Sequence, residues 1–332
     1  PLALAAGVVV LAAAGAGGDY VFLRPKPDPT PPPGQTGPKR LVVARGKAGQ
    51  ENAFPSLSQA VARAAPGDTI AVEDDVLQDF QFRVKGKPGL TIESGLPDGR
   101  PVTVEGAATA GAAVINLDEC EGLKLRGFTI DARGGADYAV LLSGVMPGAA
   151  LEHVTVLGGK KGGVRLLNVA GAAGRPVVLD RVRTTVAPGQ DAGIKIDATT
   201  GLTTRGVSVR HGRFDGPGKV GVLVGGGADG VDVTGNRFFQ LDAAVLVNRP
   251  TDLKAVLKLD LNQNTVVGGK IGFQLAGPQA GVVAVARNYF AQTAEGAIRM
   301  DGDGGVAATH NARAPGTPNG NAAVAEVPTP PP

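Results

Sequence analysis

The side chains that could do chemistry come in two strings of equal make-up. Glu152-His153 and Asp180-Arg181 lie 28 residues apart. Aligning the neighbouring segments by their apolar pattern gives one column, Arg126, Glu152, Asp180, Arg205, and beside it a second, Gly127, His153, Arg181, Gly206. If each interval is one turn of a solenoid, Glu152 and Asp180 stand about 5 Å apart, the spacing of adjacent strands. Two carboxylates that close push one pKa up, which suits a general acid. The flanking arginines oppose that shift, and an ion-pair ladder of Arg126 with Glu152 and Asp180 with Arg205 uses the same residues.

A second group is Lys195 and Asp197 with Arg165 one interval away. Lys195 as a base needs a depressed pKa, whereas a neighbouring Asp197 raises it, so a solvated salt bridge is the competing reading. Along this column Asp118 and Asp197 are three turns apart, roughly 14 Å. Glycoside hydrolysis needs its carboxyl groups about 5–9.5 Å apart. The weak catalytic candidates are therefore Glu152, Asp180, His153, Lys195 and Asp197, and the binding candidates are Arg126, Arg165, Arg181 and Arg205. His211 and His310 have no acidic or Cys partner at ligand spacing, so neither a metal nor a cofactor is expected. Asp301-Gly302-Asp303-Gly304 lacks the Glu of a calcium loop and reads as a turn.

What must position these residues is a repeat. Val114-Ile115-Asn116-Leu117, Ala139-Val140-Leu141-Leu142, Gly163-Val164-Arg165-Leu166 and Gly193-Ile194-Lys195-Ile196 share one pattern. So do Gly221-Val222-Leu223-Val224, Ala244-Val245-Leu246-Val247, Gly272-Phe273-Gln274-Leu275 and Ala297-Ile298-Arg299-Met300. Inward and outward residues alternate, as in a strand, and the copies recur at a solenoid's period. A second column reads Phe128, Val154, Val182, Val207, Asn236, Asn264, Asn288, Asn311. Asn tolerates a left-handed backbone at a tight corner, and stacked Asn side chains can bond in a ladder. With no helical periods between them, these strands predict an all-β fold, a parallel β-helix of about nine coils. Ahead of it, Ser56 and Gln59 form a capping box. Leu57, Ala60, Val61 and Ala64 share one helical face, which predicts a helix over the N-terminal end of the stack.

The ends differ from the middle. Residues 2–23 are apolar with one charge, Asp19, and are long enough to span a membrane. A signal peptide ending near Ala14-Gly15-Ala16 is the alternative. Both place the rest outside the cytoplasm, membrane-anchored or secreted. Residues 24–39 are a Pro-rich linker, 40–313 the β-helix, and 314–332 a disordered Pro-rich tail. With 33 Lys and Arg scattered against 30 Asp and Glu, nucleic-acid binding is not expected. Cys120 is the lone cysteine and reads as a buried apolar residue.

Phe54, Leu57, Ala60-Val61, Ala64 and Pro66-Gly67-Asp68-Thr69-Ile70-Ala71-Val72, with the later Asn corners, resemble the N-terminal opening of pectate-lyase-like right-handed parallel β-helices. The resemblance spans about residues 40–313 and implies the right hand. It implies less about activity, because the fold hosts lyases, hydrolases, esterases and binding proteins. A Gly-x-Tyr-x-Glu segment is usual after Val72; here Asp75-Val76-Leu77-Gln78-Asp79 stands there, which opposes a pectinesterase. The order of apolar segment, Pro-rich linker and β-helix also resembles the outer part of bacterial transmembrane Ser/Thr kinases. The expected function is a monomeric, membrane-anchored module that binds or senses a polysaccharide or an envelope protein. The alternative is a polysaccharide lyase or glycoside hydrolase.

Overall fold

The computed structural model describes residues 37–78, 82–106, 111–133, 135–248, 258–276, 282–301, 306–320 and 325–326. The apolar segment 2–23, the linker up to residue 36, Asp79 and the Gly302-Asp303-Gly304 turn lie outside the described residues. Among those described, no helix is long and apolar enough to cross a membrane.

The chain winds into an all-β, right-handed parallel β-solenoid of about 10 turns, against the nine expected. Each turn contributes up to three short strands, and paired strands of successive turns run parallel. The first face carries Ala113–Asp118, Tyr138–Val145, Gly162–Ala170 and Ala192–Asp197. The second begins with Lys124–Asp131 and Ala150–Leu157, which turn a corner at Gly127 and His153 and continue as the third face. Register is strict because one face of every strand is buried, so a one-residue slip would expose every inward side chain. The inward column of the second face reads Leu41, Ile70, Ile92, Leu125, Leu151, Leu179, Val209, Val233, Leu261, Val285. All ten are buried, each worth about 1.5–3 kcal/mol of apolar transfer. Phe214 stacks on Phe238 at 4.8 Å between ring centroids, and Phe273 meets Phe290 edge-on at 5.0 Å.

The corner between second and third faces is where the sequence alignment slips. Arg183 pairs with Arg213, so the residue below Val182 is Gly212, not Val207. Val207 pairs with Val177 on the second face. The corner column is therefore Phe128, Val154, Val182, Gly212, Asn236, Asn264, Asn288, Asn311. Two features produced the slip. Val207-Ser208-Val209 alternates like the third-face strands, and Arg205-Gly206-Val207 copies Arg126-Gly127-Phe128, down to a glycine at positive φ.

The asparagines form the expected ladder. Nδ2 of Asn236, Asn264 and Asn288 donates to Oδ1 of the next Asn at 3.1, 3.0 and 2.9 Å. The same oxygens accept the backbone N–H of the Asn one turn earlier. The left-handed residue, however, is the one before each corner residue, whether that is Phe, Val, Gly or Asn. His153, Arg181, His211, Gln263, Arg287 and His310 all have φ between 52° and 55°. His and glycine meet that demand at lower steric cost than most residues. The backbone bends there, and where an Asn follows it satisfies the peptide groups the bend exposes.

The N-terminal helix forms over Leu57–Arg63, with Ser56 Oγ accepting the Gln59 N–H at 3.3 Å and Leu57, Ala60 and Val61 buried. Asp68 then ties the turn, accepting from the N–H of Lys39 and of Ala65, both at 2.8 Å. At the other end the chain does not leave the stack after Arg313. Thr317 is buried, Pro318 and Asn319 carbonyls accept from Ala297 and Ile298, and Ala325–Glu326 pairs with Ala312-Arg313. Proline and glycine fit this edge because a carbonyl is all it must offer. The expectation of disorder across 314–332 is corrected to that extent.

Candidate functional site

Register brings Glu152 directly beside Asp180, as the interval of 28 residues requires. It does not bring Arg205 to them. Arg205 lies opposite Ala170 and Asp229, and the arginine paired with Asp180 is Arg210. The expected ion-pair ladder also breaks at its other end. Arg126 turns away from Glu152 to hydrogen-bond Glu93, which lies one turn earlier and also binds Arg40.

The same correction of register brings in His211, for which spacing alone offers no partner. Its Nδ1 donates to Asp180 Oδ1 at 2.8 Å. Arg210 Nε lies 3.3 Å from the same oxygen, and the Asp180 carboxylate is 16% exposed. That bond fixes the imidazole ring and leaves Nε2 free. One turn along, Arg181 Nη1 donates to His153 Nε2 at 2.9 Å. His153, Arg181 and His211 thus occupy one corner column on three successive turns.

Just past the corner, the first outward column of the third face carries a row of arginines. Arg183, Arg213 and Arg237 pair in register on three successive turns. Two adjoining depressions lie here. One, of about 520 Å³, is lined by Arg183, His211, Arg213, Asp215 and Arg237 among others. The second, of about 330 Å³, is lined by His153, Thr155, Arg181, Arg183 and His211. Arg213 is held by Asp215 through bonds of 2.9–3.1 Å and lies 4.6 Å from the centroid of Phe239, which keeps its guanidinium charged. Among the described residues, Arg183 and Arg237 form no ion pair. The groove is therefore cationic: among the described residues, Arg183 and Arg237 meet no carboxylate, and Arg181 meets only His153.

The first face is different. Arg165 binds Asp197 through two bonds of 3.1 and 2.9 Å. Lys195 turns to Asp191 at 3.3 Å rather than to Asp197. Tyr138 lies under Arg165, 5.6 Å from guanidinium carbon to ring centroid. Burial pushes its hydroxyl up to about 12, against which the Arg165 charge acts only weakly. On this face Arg165 and Asp197 are paired with each other, and Lys195 is paired with Asp191. This face supplies no free base. Among the described residues, no three His, Cys, Asp or Glu side chains gather to hold a metal.

Two carboxylates elsewhere govern acid stability. Burial alone would raise Glu93, but Arg126 and Arg40 outweigh it and hold the carboxyl below its ordinary range. Burial would likewise raise Asp118, and Arg83, Ser143 and Lys85 reverse that. A depressed carboxyl stabilises the fold above its unfolded pKa, 4.5 for Glu93 and 3.8 for Asp118, and loses that contribution as pH falls through the folded value. Melting temperature is therefore expected to stay level near neutrality and drop below about pH 4.5. Thermal melts of Glu93→Gln should show a shallower acid drop; a curve parallel to the unaltered protein would contradict the assignment.

No protein-family model matches the chain, and no curated protein matches it. Among solved structures, the alginate lyase from Paenibacillus sp. str. FPU-7 is similar at a TM-score of 0.55 and 14% identity, over 87% of this chain and 97% of that one. The endo-xylogalacturonan hydrolase from Aspergillus tubingensis aligns over 86% of this chain and 100% of its own, at a TM-score of 0.47 and 13% identity. A GH136 lacto-N-biosidase from Eubacterium ramulus gives 0.46 and 12%, over 82% and 68%. None of the three bears on a kinase partner. At these identities the likeness is one of fold: the chain's structural neighbours are pectin- and alginate-lyase-like parallel β-helix proteins.

Proposed function

We propose that this chain is an extracytoplasmic, polysaccharide-processing β-helix protein that takes an acidic polysaccharide into the groove between Arg181 and Arg237. The observation that carries the reading is the row Arg183, Arg213, Arg237 beside the His211–Asp180 pair. Parallel strands repeat every 4.8 Å or so, close to the advance of one sugar along a polymer, so each turn can meet one acidic sugar. Guanidinium groups bind carboxylates in two-pronged, charge-assisted fashion, whereas neutral sugars offer them only uncharged hydroxyl acceptors. The altered segment after Val72 argues against an esterase, and the paired first face argues against chemistry at Lys195 or Asp197. The helix Leu57–Arg63 closes the apolar N-terminal end of the stack. The neighbours' polysaccharide chemistry favours secretion; residues 2–23 as an anchor would place the groove on the same side.

Calorimetry with alginate, de-esterified pectin and a neutral glucan tests the reading. Acidic polymers should bind, with affinity falling steeply as salt rises. Equal binding of the neutral glucan, or none of the acidic polymers, would overturn it. Binding without any cleavage would leave a binding module, the reading the paired first face favours.

A further inference from the structure

We propose that His211, oriented by Asp180, is the proton-transfer centre of a β-elimination at the corner between the second and third faces. The inference rests on the acidic-polysaccharide reading and adds a reaction, a base and a stereochemical preference to it.

The groups facing the imidazole are Asp180 and Arg210 from the second face, Arg181 and His153 from the corner, and Arg183, Arg213, Asp215 and Arg237 from the third face. Asp180 accepts the Nδ1–H hydrogen bond, which leaves the Nε2 lone pair as the proton acceptor. The neighbouring arginines supply the other requirement. The hydrogen on C5 of a uronate becomes removable only when the attached carboxylate is neutralised, and unpaired guanidinium groups do that.

The step balances without a co-reactant. Nε2 takes the C5 proton, the C5–H electrons form the C4=C5 double bond, and the C4–O4 bond breaks. The imidazolium then passes its proton to the departing O4, which leaves as a hydroxyl and restores neutral His211. The products are a 4,5-unsaturated uronate and a shortened chain. Asp180 touches no reacting atom; it positions the ring and stabilises the transient imidazolium. Because one group serves both carbon and oxygen, the C5 hydrogen and O4 must lie on the same side of the sugar ring. Polymannuronate meets that condition and polyguluronate does not.

The test uses the full chain with polymannuronate and polyguluronate, following the ultraviolet absorbance of the unsaturated product, with binding measured separately. Cleavage of polymannuronate at least tenfold faster is expected. His211→Gln should lower kcat about 100-fold or more while binding stays within about twofold. Asp180→Asn should lower kcat about tenfold while KM and the melting temperature stay unchanged, a split a merely structural role would not give. His310→Gln, in the same corner column at the far end of the stack, should leave the rate unchanged. If the polymer binds and is cleaved but His211→Gln keeps half the activity, the base lies elsewhere. If it binds and no unsaturated product forms, the elimination is wrong while the binding reading stands. If no acidic polymer binds, both fall.

Discussion

Asn264→Ala is expected to lower the unfolding free energy by about 3–5 kcal/mol. Asn264 is 1% exposed and uses both ends of its amide. Its Oδ1 accepts the backbone N–H of Asn236 at 3.0 Å and the side-chain amide of Asn236 at 3.1 Å. Its Nδ2 donates to the Val233 carbonyl at 2.8 Å and to Asn288 Oδ1 at 3.0 Å. Truncation leaves several buried partners unpaired, at about 1–3 kcal/mol each, less what a trapped water recovers. Because each turn touches only its neighbours, the later turns should loosen before the earlier ones. Chemical denaturation measures the first effect, and hydrogen exchange at the Asn288 and Asn311 backbone amides the second. A loss under about 1 kcal/mol would mean that the ladder is ornamental to stability.

The second large effect concerns binding. Replacing Arg183 and Arg237 together by Ala should weaken acidic-polysaccharide affinity about 30- to 100-fold at low salt, roughly 1 kcal/mol or more for each exposed contact. Neither forms an ion pair among the described residues, so neither gives up a partner to meet a ligand. Arg213→Ala should cost less binding per charge, because Asp215 already neutralises that guanidinium. The melting temperature should stay put for the double variant. Titration calorimetry at two salt concentrations separates the charge effect from any loss of fold; a salt-independent loss would point to distortion instead.

The fold was largely legible because its cause is local and repeated. Period-2 apolar residues recurring once per turn leave little choice but stacked strands, and the first-face column from Asn116 to Arg299 pairs in the register the pattern implies. The corner was less legible. Second and third faces both alternate apolar and polar residues, and Arg205-Gly206 imitates Arg126-Gly127. Pattern alone could not say which strand Val207 belongs to. The missed signal was the interval itself: moving the corner to His211-Gly212 makes one turn longer and restores the column. That single shift exchanged Arg205 for Arg210 and gave Asp180 its histidine.

The sequence by itself determined that this chain stacks strands into a parallel β-helix, that asparagines line its later corners, and that Glu152 neighbours Asp180. Those follow from alternation, from the backbone's need for hydrogen bonds at a bend, and from a fixed period. Only the tertiary structure decided which charges meet. Whether an arginine turns to the turn before it or the turn after depends on side-chain geometry that no spacing records. So Arg126 went to Glu93, Lys195 to Asp191 and Asp180 to His211, and the cationic groove formed where Arg183 and Arg237 were left without a carboxylate.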